Sequence, residues 1–294
     1  MQLNAREEWV ELSLLIVSIS ALLILVGIFA FLFITGIAAF HDIGLQEFFL
    51  GEIWNPSAYG EPSWGILSML AGTIIVSLLS MAIAVPLGIG SAIYLSEVAR
   101  PRTRELLKPI IEMIASIPSV VLGLIGIIFL SPLVAQVFGL SSGLNAISAS
   151  IVLSVMVIPT IISISEDVLT SIPRDFRDAS LALGATKWQT IRMCILPAAM
   201  SGIGAALMLG LGRAIGETMA VLMVAGNSIA MPTSVFDPVR PITANIAIEI
   251  KEVVFGSLHY NALFAIGLVL FTMTFVVNLV SDIIIEKQAR KYKW

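Results

Sequence analysis

Two side chains that can hold or steer an anion, Arg213 and Glu217, stand four residues apart in an otherwise apolar stretch, Ser201–Val224. A continuous helix places residues four apart on one face, where opposite charges partly neutralise each other. Ionisable groups at membrane depth are costly and by default mark a substrate or ion path. Arg keeps its charge at any accessible pH and offers a planar fork suited to phosphate or carboxylate oxygens. Gly210, Gly212 and Gly216 leave little side-chain bulk around the pair. Two readings are open. Either the pair is a structural ion pair between helices, or Glu217 holds Arg213 until an anion arrives. One Arg does not compensate a dehydrated divalent anion, so the second reading expects another cation from a partner.

Other chemistry falls away quickly. Cys194 stands alone, which excludes an intrachain disulfide and any multi-cysteine metal site. His41 and His259 are too few for zinc or haem chemistry and read as ordinary loop histidines. Gly210 to Thr218 superficially imitates a phosphate-binding loop, but the spacing differs and Glu217 stands where Lys is required. No catalytic residue, metal, cofactor or nucleic-acid partner is expected.

The elements that must position the pair are membrane helices. Mean hydropathy is +1.00 and 12% of residues are charged, values of the membrane class. Six apolar stretches stand out: Leu12–Phe40, Trp64–Leu95, Pro109–Leu130, Leu144–Ser163, Ser201–Val224 and Leu263–Ile285. Each reaches or approaches the roughly 20 residues that cross the hydrocarbon core as a helix. The first far exceeds the ~7–15 residues of a signal-peptide core and reads as a retained anchor. The expected fold class is all-α and polytopic, with six transmembrane helices.

Basic residues orient the chain. Arg6 precedes the first span, and Arg100, Arg102, Arg104 and Lys108 follow the second. Arg174, Arg177, Lys187 and Arg192 follow the fourth, and Lys287, Arg290, Lys291 and Lys293 follow the sixth. These thirteen share one side, against Arg240 and Lys251 on the other. The thirteen-residue side should be cytoplasmic, with both termini inside. The expected organisation is an anchor helix with an external loop over 1–63, a core over 64–285 and a basic tail over 286–294.

The loops and bends carry further expectations. His41–Ser63 reads as irregular chain separating the anchor from the core, and Ser131–Gly143 as a short uncharged loop. In the long loop Gly226–Asn261, Ile242–Val254 reads as a short interfacial helix. Pro86, Pro118 and Pro159 bend spans two to four, either around a path or as plain kinks. Gly88, Gly90, Gly123 and Gly126 permit close helix contact.

Between spans four and five lies a polar hairpin. Pro173 suits a first helical turn, Arg174–Leu183 runs helically, and Gly184 supplies the stop. Thr186-Lys187-Trp188-Gln189 is a capping-box pattern opening a second helix to about Cys194, before Pro197 interrupts it. Ala179 and Ser180 are small residues where a partner can approach closely.

Asp178-Ala179-Ser180, Gly184 and Leu196-Pro197 resemble the docking signature of ABC importer permeases of the MetI-like type, an acidic-Ala-Ala triplet followed by Gly and Ile-x-Leu-Pro. Asp replaces Glu, Ser180 replaces Ala, and Cys194 stands where Ile is usual. The resemblance implies that this hairpin, with Leu183, inserts into a groove on a separate ATPase. Gly212-Arg-Ala-Ile-Gly-Glu-Thr-Met-Ala-Val-Leu-Met-Val-Ala-Gly-Asn227 is similar to the span-five motif of PstC-type phosphate permeases. Ile117-Pro-Ser-Val-Val121 with Gly123, and Ala182-Leu-Gly-Ala-Thr-Lys-Trp-Gln189, also fit.

What this second resemblance implies is a phosphate importer subunit in the bacterial inner membrane, with Arg213, Glu217 and Thr218 on the substrate pathway. The implied partners are a PstA-like permease forming a heterodimer, a PstB-like ATPase dimer and an external PstS-like binding protein. Competing readings are a permease for molybdate or sulfate, a stand-alone secondary transporter, and a scaffolding membrane subunit.

Overall fold

A backbone in hydrocarbon has no water to bond, so apolar stretches of this length close their hydrogen bonds internally as helices. The computed structural model describes residues 2–57 and 60–291, without the side chains of 2–8, 284 and 286–291. The expected side-chain roles of Arg6 and of the basic tail over 286–294 fall outside the described residues.

Six helical segments are long and apolar enough to cross a membrane: Trp9–Ile43, Leu67–Val98, Ser119–Phe138, Ala146–Ser171, Lys187–Gly216 and Leu258–Ile283. The first belongs to α1 (Gln2–Ile43), followed by α2 (Leu45–Leu50) and a two-strand hairpin, β1 (Trp54–Asn55) and β2 (Ser63–Trp64). Span two is α3 (Leu67–Ile93) ending in a π-helical turn, Tyr94–Val98. Next come α4 (Pro101–Ala115) and span three, which is α5 (Ser119–Ile125), a π turn over Gly126–Leu130, and α6 (Ser131–Phe138). Span four is α7 (Ala146–Ser171).

The polar hairpin is α8 (Arg174–Ala182) and α9 (Lys187–Thr190). A third π turn, Ile191–Ile195, leads from α9 into α10 (Leu196–Gly216) to make span five. Then come α11 (Met219–Val224), α12 (Ile242–Glu249) and α13 (Leu258–Lys291), which holds span six.

Several boundaries differ from expectation. Span three begins at Ser119, because Ser116, Ile117 and Pro118 break the helix and Pro118 adopts an extended ψ of 138°. The preceding α4 buries no residue and lies outside the core, so the apolar run from Pro109 mixes two elements. The expected loop Ser131–Gly143 is helical to Phe138, and Gly139 closes it at a φ of 66°.

Pro197 does not interrupt span five. The chain stays helical from Lys187 to Gly216. A Pro ring clashes with the carbonyl four residues back. The π turn just before it, where Leu196 N–H reaches Ile191 O, carries the helix past that point.

The segment His41–Ser63 is not a plain separator. Phe48, Trp54 and Trp64 bury themselves with Ala39, Ile43, Ile66, Ile242, Leu263 and Ile266 in one cluster. Helix α12 is likewise packed rather than interfacial, with Ile242, Thr243, Ala244 and Asn245 buried, and it ends at Glu249.

The centre of the bundle is α7. Of its apolar window 61% is buried, against 39% or less in the other spans and 0% in span one. Leu153, Val157 and Ile161 meet Val76 and Ala84 of α3 and Ala214 of α10. Three of the four expected contact glycines do permit close approach. A Cβ on Gly88 would meet Ile161 at 2.7 Å, one on Gly123 would meet Met223 at 2.7 Å, and one on Gly126 would meet Val224 at 2.7 Å. Gly90 faces open space. Helix α1 packs along α13, and a Cβ on Gly36 would lie 2.9 Å from the Ala265 backbone.

Candidate functional site

Arg213 lies one turn before the end of α10 and lines a cavity of about 680 Å³. The other walls are Thr160 of α7, Ala205, Met208, Leu209 and Gly212 of α10, and Asn278 and Asp282 of α13. Arg213 Nη1 donates to Thr160 Oγ1 at 3.1 Å. Among the described residues it makes no ion pair. A guanidinium has five N–H donors, and one neutral acceptor leaves most of them for another ligand. Polar groups on three helices thus converge on one cavity.

The expected pairing of Arg213 with Glu217 is absent. Glu217 adopts an extended ψ of 130°, so the helix stops before the fourth residue completes the turn. Its carboxylate instead accepts the Ala220 N–H at 3.1 Å, capping α11. The break leaves carbonyls without helical partners, and side chains take them. Thr218 Oγ1 donates to Gly216 O at 3.4 Å, and Thr243 Oγ1 donates to Glu217 O at 2.9 Å. Thr218 therefore sits in the break, and only Arg213 of the three expected pathway residues lines the cavity.

At the other end of α10 the polar hairpin has the expected form. Thr186 Oγ1 accepts the Gln189 N–H at 3.3 Å while Gln189 Oε1 accepts the Thr186 N–H at 2.8 Å, a complete capping box. Gly184 takes a φ of 84°, the left-handed conformation that ends α8 cheaply only for Gly. Asp178 and Ala179 are exposed, and Leu183 at the tip is 89% exposed. Ser180 is turned inward, its hydroxyl 3.0 Å from that of Thr190, so it closes the hairpin rather than widening its surface. Leu196 and Pro197 are half-buried where the hairpin enters span five.

Sequence reading missed what fixes this hairpin. Arg177 grips Glu97 at the end of span two, with Nε at 3.1 Å and Nη2 at 2.5 Å from Oε1. The same guanidinium donates to Leu169 O at 2.9 Å and Ile172 O at 2.7 Å, at the end of α7. Nearby, Glu166 of α7 has a side chain only 1% exposed and is held by Arg104 and by Lys108, the latter at 2.7 Å. A buried carboxylate needs such partners. Lys108 also meets Asp167 at 2.6 Å, and these two carboxylates, Asp167 first, raise its pKa above the ordinary lysine value. The available signal was a carboxylate, Glu166, inside a helical run, with the cations Arg104 and Lys108 on a helix before span three.

The opposite end of the bundle holds a second unforeseen cluster. Glu249 accepts Trp54 Nε1 at 3.0 Å, lies 2.8 Å from His259 Nε2 and 3.4 Å from Arg240 Nη1. His259 also packs on Trp54 and Trp64, with ring centroids 6.1 and 6.2 Å away. It is therefore a structural partner at the start of α13, not an ordinary loop histidine. Arg240 Nε donates to Asn227 O at 2.9 Å, tying the loop after α11 to α12.

The chain has relatives among known proteins. Residues 84–294 match the family described as binding-protein-dependent transport system inner membrane component. A probable ABC transporter permease protein, YqgH of Bacillus subtilis, is 43% identical over 78% of this chain and 74% of its own length. The phosphate transport system permease proteins PstC of Mesorhizobium japonicum and Pasteurella multocida are each 36% identical, covering 78% and 81% of this chain and 75% and 79% of their own. Among solved structures, a bacterial ABC transporter that imports alginate aligns over 99% of this chain and 98% of its own, with a TM-score of 0.65 and 16% identity. The MetNI methionine transporter aligns over 76% of this chain and 94% of its own, with a TM-score of 0.56 and 21% identity.

Proposed function

The chain belongs to the family of binding-protein-dependent transport system inner membrane components, and from that premise we propose that it is a permease subunit of an ABC importer for inorganic phosphate. Chains of this family work beside a partner permease, an ATPase and a substrate-binding protein, and carry no catalytic site themselves.

The observation that carries the substrate reading is the Arg213 guanidinium. It lines a membrane cavity, bonds one neutral hydroxyl and pairs with no carboxylate among the described residues. A cation held this way is poised for an oxyanion, which a planar fork binds through several donors at once. The likeness of the chain to PstC proteins supports phosphate as that oxyanion. The partners are then a PstA-like permease that completes the cavity and supplies a further cation, a PstB-like ATPase dimer and a PstS-like binding protein. The exposed Asp178, Ala179 and Leu183 form the ATPase-docking tip. The hairpin end faces the cytoplasm with both termini, in keeping with the thirteen basic residues on that side.

The test is uptake of labelled phosphate and ATP hydrolysis in vesicles holding the reconstituted complex. Arg213→Gln should abolish most uptake while the assembled complex still hydrolyses ATP. Normal uptake by this variant would remove Arg213 from the anion path. Uptake of molybdate or sulfate in place of phosphate by the wild type would replace the substrate.

A further inference from the structure

We propose that the inner half of α7, Thr160–Ser171, is the rod through which movement of the docking hairpin sets the Arg213 guanidinium, with Arg177 as its clamp and Thr160 as the positioning residue. This deepens the functional reading above and rests on it.

At the hairpin end, α8 buries none of its residues, so its hold on the bundle is polar and centres on Arg177. That side chain is 21% exposed and its partner Glu97 7% exposed. It takes the carbonyls of Leu169 and Ile172, groups that the end of a helix leaves without partners. Displacing α8 therefore pulls on the last turn of α7 directly. Glu166, gripped by Arg104 and Lys108, ties the same stretch of α7 to α4.

At the far end is Pro159, buried within α7. Its ring removes the hydrogen bond to the carbonyl four residues earlier, and membrane helices flex at such points. The outer piece, Ala146 to Ile158, is anchored separately. Ala146 and Ile147 N–H groups bond Asp237 O and Val235 O at 3.1 and 3.0 Å, and Asn145 Oδ1 caps Ser148. Thr160 is the first residue beyond the proline, on the clamped side. From Thr160 to Leu169 is about 13 Å at the α-helical rise. A shift of the clamped piece relative to the anchored one moves the Thr160 hydroxyl against α10, and the Arg213 hydrogen bond forms or breaks with it.

A claim of mechanical coupling requires coupling evidence, which a double-mutant cycle supplies. The cycle uses the reconstituted complex with both permeases, the ATPase and the binding protein, reading labelled orthophosphate uptake and ATP hydrolysis. Thr160→Val keeps the shape and removes the hydroxyl. It should lower uptake about tenfold, the effect of losing a hydrogen bond to a charged group, with hydrolysis within about twofold of wild type. Thr160→Ser should restore uptake. Arg177→Lys should raise the ATP hydrolysed per phosphate, and should cost little more once Thr160→Val is present. If Arg177→Lys fails to retain the ATPase, Glu97→Gln takes its place in the cycle.

Effects that multiply independently, or normal uptake by Thr160→Val, would overturn the proposal while leaving the phosphate reading intact. A wild-type complex that hydrolyses ATP but takes up no orthophosphate would instead remove the reading on which the proposal rests.

Discussion

At the scale of single residues, the separation of Arg213 from Glu217 has a measurable consequence. Glu217 accepts an N–H of α11, a role that Gln fills as well through its amide oxygen. Glu217→Gln should therefore melt within a degree or two of wild type in detergent, whereas Glu217→Ala should lose about 1 kcal/mol, the usual cost of a missing cap. Were Glu217 the counter-ion of Arg213, both variants would be equally damaging. Glu166 offers the opposite case. Replacing it by Ala leaves Arg104 and Lys108 facing each other across a vacated site. Because those cations are 34% and 31% exposed, the loss should be about 2 kcal/mol, below the usual cost of breaking a fully buried pair. Thermal unfolding of the purified chain reads both.

Asp237 carries a pH dependence with a definite sign. Backbone and hydroxyl donors from Thr233, then the Ser234 N–H, hold its carboxyl below the ordinary aspartate value of 3.8. A depressed carboxylate stabilises its turn above the unfolded value and loses that effect as pH falls through the folded one. The turn over 233–237 should thus stay ordered at pH 4 and loosen only in stronger acid. Asp237→Asn should loosen it already at pH 7, read as faster amide exchange of that peptide.

At the scale of elements, existence was legible in the sequence and boundaries were not. Six apolar runs announced six spans because hydrocarbon length is a constraint that composition alone reveals. The hairpin was equally plain, since Gly184 and the Thr186–Gln189 box are local devices that no tertiary contact overrides. The break at Glu217 was invisible because Gly216-Glu217-Thr218 contains no Pro, and one of its freed carbonyls, that of Glu217, is satisfied from Thr243, 26 residues away. The Arg177 clamp and the Glu249 cluster were hidden for the same reason, as each includes a partner far along the chain, Glu97 at 80 residues and Trp54 at 195. Arg213 itself was found from its type and depth, yet its partner Thr160 carries no signal among many apolar-span hydroxyls. One turn tests the element scale directly. Gly226 has a φ of 85°, and a Cβ there would lie 2.6 Å from Leu144 O. Gly226→Ala should therefore cost at least about 1 kcal/mol from backbone conformation alone and disturb the loop that caps α7.

At the scale of the whole molecule, the first helix belongs to the fold more at one end than the other. Its buried residues Ala39 and Ile43 join the cluster of Phe48, Trp54 and Trp64, whereas Ile34 and its neighbours present apolar faces to the hydrocarbon. Gly36→Leu should push α1 away from Ala265 and lower the melting temperature in detergent, while leaving association with the ATPase unchanged, because the hairpin lies at the opposite end. Co-purification of the ATPase with this variant checks that separation.

The three π turns, Tyr94–Val98, Gly126–Leu130 and Ile191–Ile195, each amount to one surplus residue in a helical count. A single residue is worth about 100° of rotation at 3.6 per turn. Each span carrying one is thus phased in two halves along the sequence, the pattern after the turn running one residue out of step with the pattern before it. Because the wider turn takes up that residue within about one circuit, excising one residue from 191–195 would restore an unbroken α count with the hairpin still facing close to its present direction. A deletion in the regular α stretch of span five, where nothing absorbs it, would instead turn Asp178 and Leu183 by about 100° with their chemistry intact.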